Sequence, residues 1–174
     1  MRLFIAILFD DHILDALTDF QAVLKSQGVT GNYTRREKLH ITLAFIGDYG
    51  NPEEVLEAME RSEFRPTKIS LDGVGTFGDL FWAGLSDNPQ LAAYVRRLRR
   101  ELSGHDIPFD GKRFSPHITL IRKYSCRGKR EIPVSEPPKG SMKAARVSLM
   151  RSERGKNGMI YTEIGCVEAK ENNS

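Results

Sequence analysis

Leu39-His40-Ile41-Thr42-Leu43-Ala44-Phe45-Ile46-Gly47 and Pro116-His117-Ile118-Thr119-Leu120-Ile121-Arg122 share the tetrapeptide His-Ile-Thr-Leu. The chain holds 4 histidines, and both of these are followed two residues later by threonine. Roughly one shuffled sequence in a hundred would show that coincidence. Both copies lie in apolar runs that read as strands. Side chains alternate faces along a strand, so His40 and Thr42 share one face and Ile41 and Leu43 the other. The same holds for His117 and Thr119 against Ile118 and Leu120. The apolar pair anchors each strand, leaving an imidazole and a hydroxyl presented side by side. A lone His-x-Thr is more often a core histidine, but two identical copies point to function and to a duplicated half-domain.

Two imidazoles suit cleavage of a phosphodiester. One, neutral, takes a proton from the attacking hydroxyl or water, while the other, protonated, delivers one to the leaving oxygen. Histidine does both near neutral pH because its ordinary pKa is about 6.5. The threonine hydroxyls can donate to non-bridging phosphate oxygens as charge builds there. His12 and His105 lack this context and are expected at the surface or at helix ends. No cluster of His, Cys or carboxylates has metal-ligand spacing, so no metal and no cofactor is expected.

Outward from these motifs, periodicity alternates strands with helices. A first strand covers the run from Leu3 to Phe9. Asp10 or Asp11 opens a helix with the stripe Ile13, Leu14, Leu17, Phe20, Val23 and Leu24, ended by Gly28. Further strands are expected near 39–46, 68–74, 80–85, 117–124, 145–151 and 159–167. Pro52 sits at the first turn of a helix to Arg61. Asn88-Pro89 opens another with the stripe Leu91, Val95, Leu98 and Leu102. The segment 125–141 reads as a surface loop and 170–174 as a disordered tail. Three helices and seven or eight strands without strict βαβ alternation imply an α+β fold with mainly antiparallel pairing.

Composition narrows the class. The chain has 174 residues, 26 Lys plus Arg against 23 Asp plus Glu, and 40% hydrophobic residues. That fits one globular domain and neither a charged tail nor a disordered segment. The 2 cysteines, Cys126 and Cys166, build no disulfide framework. The first apolar run is closed by Asp10-Asp11 with no cleavage site behind it, and it is too short to span a membrane. A cytoplasmic protein without membrane contact is expected.

Basic residues gather in two places. Arg96, Arg97, Arg99 and Arg100 read as a solvated helix face. Lys112, Arg113, Arg122, Lys123, Arg127, Lys129 and Arg130 bracket the second motif, where an anionic substrate would sit. Gly73-Val74-Gly75-Thr76-Phe77-Gly78 spells the dinucleotide-binding pattern G-x-G-x-x-G. A strand rather than a helix follows it, so a glycine-rich turn between strands is expected.

At these residues the sequence resembles the 2H phosphoesterase superfamily. It is most similar to the RNA 2′,3′-cyclic phosphodiesterases, also called 2′-5′ RNA ligases of the LigT type. The two motifs carry the resemblance, with residues 1–7, 73–78, 113–122 and 149–152 and Tyr161. The resemblance implies a bilobed domain over residues 1–174. Two pseudo-twofold-related antiparallel sheets would form interleaved half-lobes, with helices outside and a cleft between. It implies metal-independent hydrolysis of an RNA or nucleotide 2′,3′-cyclic phosphate to a 2′-phosphomonoester. By analogy His117 is the general base and His40 the general acid, with Thr42, Thr119 and Arg122 on the phosphate and Phe45 stacking on a base. The partners implied are RNA ends or nucleotides, and the enzyme is expected to be a monomer. The alternatives are 2′-5′ RNA ligation and a non-catalytic RNA-end-binding module. Phe45 and Arg122 each follow their histidine by five residues, which strict alternation puts on the opposite face. Their assignment therefore needs a β-bulge or a strand end.

Overall fold

The computed structural model describes residues 1–126 and 136–171. Most of the expected loop, with Arg127, Lys129 and Arg130, and tail residues 172–174 lie outside the described residues. The chain runs β1 (Arg2–Ile7), α1 (Asp11–Ser26), β2 (Val29–Tyr33), β3 (Ile41–Asp48), α2 (Pro52–Arg61) and β4 (Thr67–Phe77). It continues through β5 (Leu80–Leu85), α3 (Pro89–Gly104), β6 (Ile118–Cys126), β7 (Ser141–Ala144), β8 (Arg146–Gly155) and β9 (Gly158–Glu168). A 3₁₀ turn, Arg36–Lys38, precedes β3. The fold is α+β, with an antiparallel sheet in the order β3-β1-β8-β9 and another in the order β2-β6-β5-β4-β7.

The two sheets repeat one plan. Between β1 and β3 and between β5 and β6, two pairs of antiparallel neighbours, the connection contains a helix, followed in the first case by edge strand β2 and the 3₁₀ turn. Without its edge strand β2, the larger sheet reads β6-β5-β4-β7 against β3-β1-β8-β9. The two His-x-Thr strands, β3 and β6, thus hold corresponding places. The helices cross over, however. α1 lies on the larger sheet, with Phe20 6.2 Å from Phe81, whereas α2 and α3 pack on each other and on the smaller sheet. Leu3, Ile5, Leu17, Ile41, Leu98, Ile118 and Leu149 consequently join a single buried cluster. Residues of both sheets and of helices α1 and α3 thus share one buried cluster.

Several elements differ from the sequence expectation. β2 was not expected, since no element was read between Gly28 and Leu39. Gly31 has φ +145°, and a Cβ there would stand 2.6 Å from Ile121 Cγ2, so β2 lies close against β6 only with glycine at this position. β7 adds a short strand where the loop was expected to end. β4 runs on to Phe77, so the G-x-G-x-x-G stretch is strand and hairpin rather than a phosphate-binding loop. On α1, Val23 is exposed and Gln21 is buried in the stripe instead. At the C-terminal end, Lys170 donates its amide to Phe64 O at 2.8 Å, so the segment expected to be free is anchored at its first residue. Cys126 and Cys166 are both free, and Cys166 is exposed.

Asn88 caps α3 as read from the sequence. Its Oδ1 accepts from Leu91 N at 3.0 Å while its Nδ2 donates to Lys68 O at 3.0 Å. Asn88→Ala removes both bonds and is expected to cost about 1 kcal/mol in a denaturant titration. Among the described residues, no helix is long and apolar enough to cross a membrane, which says nothing of strands that might.

Candidate active site

His40 and His117 each stand one residue before their strand, in the connection that enters it, rather than within it as the sequence suggested. The strands then depart from alternation. In β3, Ala6 pairs with Thr42 and Ile5 with Ala44, skipping Leu43; Phe4 pairs with Phe45 and Leu3 with Gly47, skipping Ile46. In β6, Trp82 pairs with Thr119 and Phe81 with Ile121, skipping Leu120. Leu43 and Ala44 are both buried, as are Leu120 and Ile121. The bulges at Leu43 and Leu120 each place an extra residue on the core side and bring Phe45 and Arg122 back to the histidine face. His40, Thr42 and Phe45, together with His117, Thr119 and Arg122, accordingly line one cleft of about 1340 Å³.

The bulge in β6 is held from behind. Gln21 Nε2, buried on α1, donates to Leu120 O at 3.0 Å and to Thr34 O at 2.9 Å, and Leu120 O also accepts from Thr34 N at 2.9 Å. Sequence reading missed Gln21. Its one signal is an amide falling within a buried stripe.

The imidazoles are held alike. His40 Nδ1 donates to Lys38 O at 2.6 Å, and His117 Nδ1 donates to Ser115 O at 2.7 Å. A carbonyl only accepts, so Nδ1 carries the hydrogen on each ring and Nε2 is left to exchange protons. His40 Nε2 lies 2.9 Å from Thr42 Oγ1. Two aromatic rings flank each imidazole. Phe4 and Tyr161 stand 5.1 and 5.6 Å from His40, and Phe77 and Trp82 stand 5.2 and 6.3 Å from His117. The Trp82 indole covers Gly75, where a Cβ would come within 2.4 Å of the ring. The glycine-rich stretch thus makes room for a ring beside His117. Phe4, Ala6 and Met150 form a small separate cluster, with Phe45 and Tyr161 packed against it, under the His40 side of the cleft.

Charge in the cleft is one-sided. Arg2, Lys25, Arg35, Lys38, Lys112 and Arg122 line it, and the carboxylate among its lining residues, Asp110, accepts from the Lys112 amide at 3.0 Å. None of the six cations makes an ion pair among the described residues, whereas Arg36, Arg61, Arg146 and Arg151 elsewhere do. Unneutralised cations around a concave site raise the local concentration of anions. Burial pushes the His40 imidazole below its ordinary pKa, and the charges of Arg122 and His117 add to that. The bond to the Lys38 carbonyl opposes it.

Of the expected basic clusters, Lys112 and Arg122 reach the cleft. The arginines of α3 serve elsewhere. Arg97 donates to Ser62 O and Glu63 O at the end of α2, and Arg99 donates to Lys112 O. These two close off carbonyls instead of forming a purely solvated face. His12 bonds Ser141 O and His105 ends α3, both away from the cleft. The cations Arg2, Lys25, Arg35 and Lys38 escaped the sequence reading because they come from separate segments, and in the short run Arg35-Arg36-Glu37-Lys38 nothing marks which side chains face the cleft. Among the described residues, no group of three or more His, Cys, Asp or Glu is placed to hold a metal ion.

With this geometry in view, comparison with known proteins is direct. A sequence model of the 2′-5′ RNA ligase superfamily matches residues 9–156. The chain is 29% identical to an RNA 2′,3′-cyclic phosphodiesterase of Methanothermobacter thermautotrophicus, covering 94% of this chain and 96% of that one. It is 27% identical to a protein of the same name from Thermotoga maritima, with 92% and 91% covered. Among solved structures, E. coli LigT in its apo form superposes with a TM-score of 0.81 at 24% identity, covering 97% and 96% of the two chains. The fold is therefore that of LigT, and the chain belongs to the 2′-5′ RNA ligase superfamily.

Proposed function

We propose that this protein hydrolyses 2′,3′-cyclic phosphates at RNA ends to 2′-phosphomonoesters, with the two histidines as base and acid. The carrying observation is the pair of imidazoles, each with Nδ1 tied to a carbonyl, in one cleft lined by six cations that make no ion pair among the described residues. The names of the relatives support the same substrate. In the proposed step, His117 Nε2 accepts a proton from water as the water oxygen bonds to phosphorus. The P–O3′ bond breaks, and His40 Nε2 gives its proton to the departing 3′ oxygen. Thr42, Thr119 and Arg122 donate to the non-bridging oxygens, where charge accumulates. Phe45 stacks on the terminal base. A bound phosphodiester supplies the negative charge that offsets Arg122 and His117, favouring the protonated His40 this role requires. We further infer that the chain is one domain of two interleaved halves; the matching strand orders and the exchanged helices support this.

The test is incubation of the EDTA-treated protein with a short RNA ending in 2′,3′-cyclic phosphate, followed by identification of the product. A 2′-phosphate end is expected. A 3′-phosphate end, a joined strand, or tight binding of 2′-phosphate ends without turnover of cyclic ones would each overturn the reading, the last two in favour of ligation and of an end-binding module.

A further inference from the structure

The cleft exceeds what a terminal nucleotide needs. Pockets for small ligands usually enclose ~300–1,000 Å³, and this one encloses about 1340 Å³. Its extra length has two sides. Beyond Phe45, towards the β8–β9 hairpin, it is lined by Ser152, Asn157 and Met159, with Arg2 5.0 Å over the Phe45 ring and Lys38 5.8 Å over the Tyr161 ring. On the opposite side it is lined by Lys25 at the end of α1, by Tyr33 on edge strand β2, and by Arg35 just after that strand. Arg122 faces Asn32 across the β2–β6 pairing and so stands between the histidines and this side.

Tyr33 and its neighbours form more than a charged rim. Lys25 Nζ lies 4.6 Å from the centre of the Tyr33 ring, and Tyr33 OH is tied down to Val29 O at 2.7 Å. Lys25 and Arg35 are exposed and make no ion pair among the described residues. An aromatic ring held in place beside unpaired cations along a groove is how single-stranded nucleic acid is bound without sequence preference. Bases stack on the ring and the backbone follows the charges.

We infer that Lys25, Tyr33 and Arg35 form a strip that binds the nucleotides preceding the RNA terminus, so that the protein prefers an oligonucleotide end over a free cyclic mononucleotide. This rests on the function proposed above and adds the substrate's length to it. The terminal base lies on Phe45, and the strand leaves across β2, because Lys25 and Arg35 stand exposed there in line with Arg122, whereas Arg2 and Lys38 on the other side lie over the Phe45 and Tyr161 rings.

The experiment compares kcat/KM for a six-nucleotide RNA ending in 2′,3′-cyclic phosphate with that for adenosine 2′,3′-cyclic phosphate. The wild type is set beside the Lys25→Ala/Arg35→Ala double variant and beside Tyr33→Ala. In the wild type the hexamer should be favoured by about tenfold or more, with a preference that weakens as salt is raised. In the double variant this ratio should fall towards one, chiefly through KM. Tyr33→Ala should lower it severalfold, since a base then loses its stacking platform. A wild-type ratio near one, or a double variant that keeps the wild-type ratio, overturns the inference. Fluorescence anisotropy with a hexamer ending in 2′-phosphate decides the strip independently of turnover. The double variant should bind at least fivefold more weakly, and equal binding overturns it. Absence of hydrolysis on both substrates would overturn the proposed function alone, leaving the strip to the binding result.

Discussion

Alanine at His117 is expected to lower kcat on a cyclic-phosphate RNA end by about 10³-fold, and alanine at His40 by a similar factor. Proton transfer by a positioned side chain contributes roughly 10²- to 10⁴-fold. Each ring is held for that task, its Nδ1 hydrogen spent on the Lys38 or Ser115 carbonyl and its Nε2 left to exchange protons. The double variant should be little worse than either single one, because acid and base act in one concerted displacement and their losses do not add. Single-turnover rates with saturating enzyme separate this loss from weakened binding. Circular dichroism melts confirm that the variants remain folded. Near-full activity in both single variants would remove the histidines from the reaction.

Arg122→Ala is expected to reduce kcat/KM by about 10²-fold, the loss typical when one donor to a developing oxyanion is removed. Arg122→Lys should recover only part of it, since lysine lacks the planar fork that meets two phosphate oxygens together. The variant also carries a signature in pH. A guanidinium beside His40 disfavours the imidazolium, so removing it makes protonation easier and raises the His40 pKa. Burial, the larger cause of the depression, remains. In the wild type the His40 ring resonances should therefore titrate below about pH 6.5, the ordinary value for histidine, when followed by NMR. In Arg122→Ala that titration should move to higher pH. A midpoint that stays put, or moves down, would mean that Arg122 does not act on the imidazole.

Much of the molecule was legible in the chain itself. The helices of residues 11–26 and 89–104 announce themselves by apolar stripes, and those of 52–61 and 89–104 by Pro52 and by Asn88-Pro89 at their starts, since capping and amphipathic periodicity are local properties. β2 was not legible, because Gly31 and Asn32 argue locally for a turn and only the close approach to Ile121 makes a glycine fit there. Gln21 escaped for a related reason. Its use is to bond Leu120 O, which lies 99 residues away and becomes available to it only through the bulge. Lys25, Arg35 and Arg2 form a charged surface with Arg122 only after distant segments meet.

The two copies of His-Ile-Thr-Leu pointed, from sequence alone, to His40 with Thr42 and His117 with Thr119 as residues that face together, and all four line the cleft. A period-two strand dictates that much, and four identical residues repeated in apolar runs are improbable by chance. The i+5 residues had to wait for the tertiary structure. Whether Phe45 and Arg122 join that face depends on a skipped residue in each strand, and a bulge is set by the register of the neighbouring strand rather than by the strand's own residues. The cationic cleft and the strip along β2 belong to the same class, because charge adds over space and not along the chain.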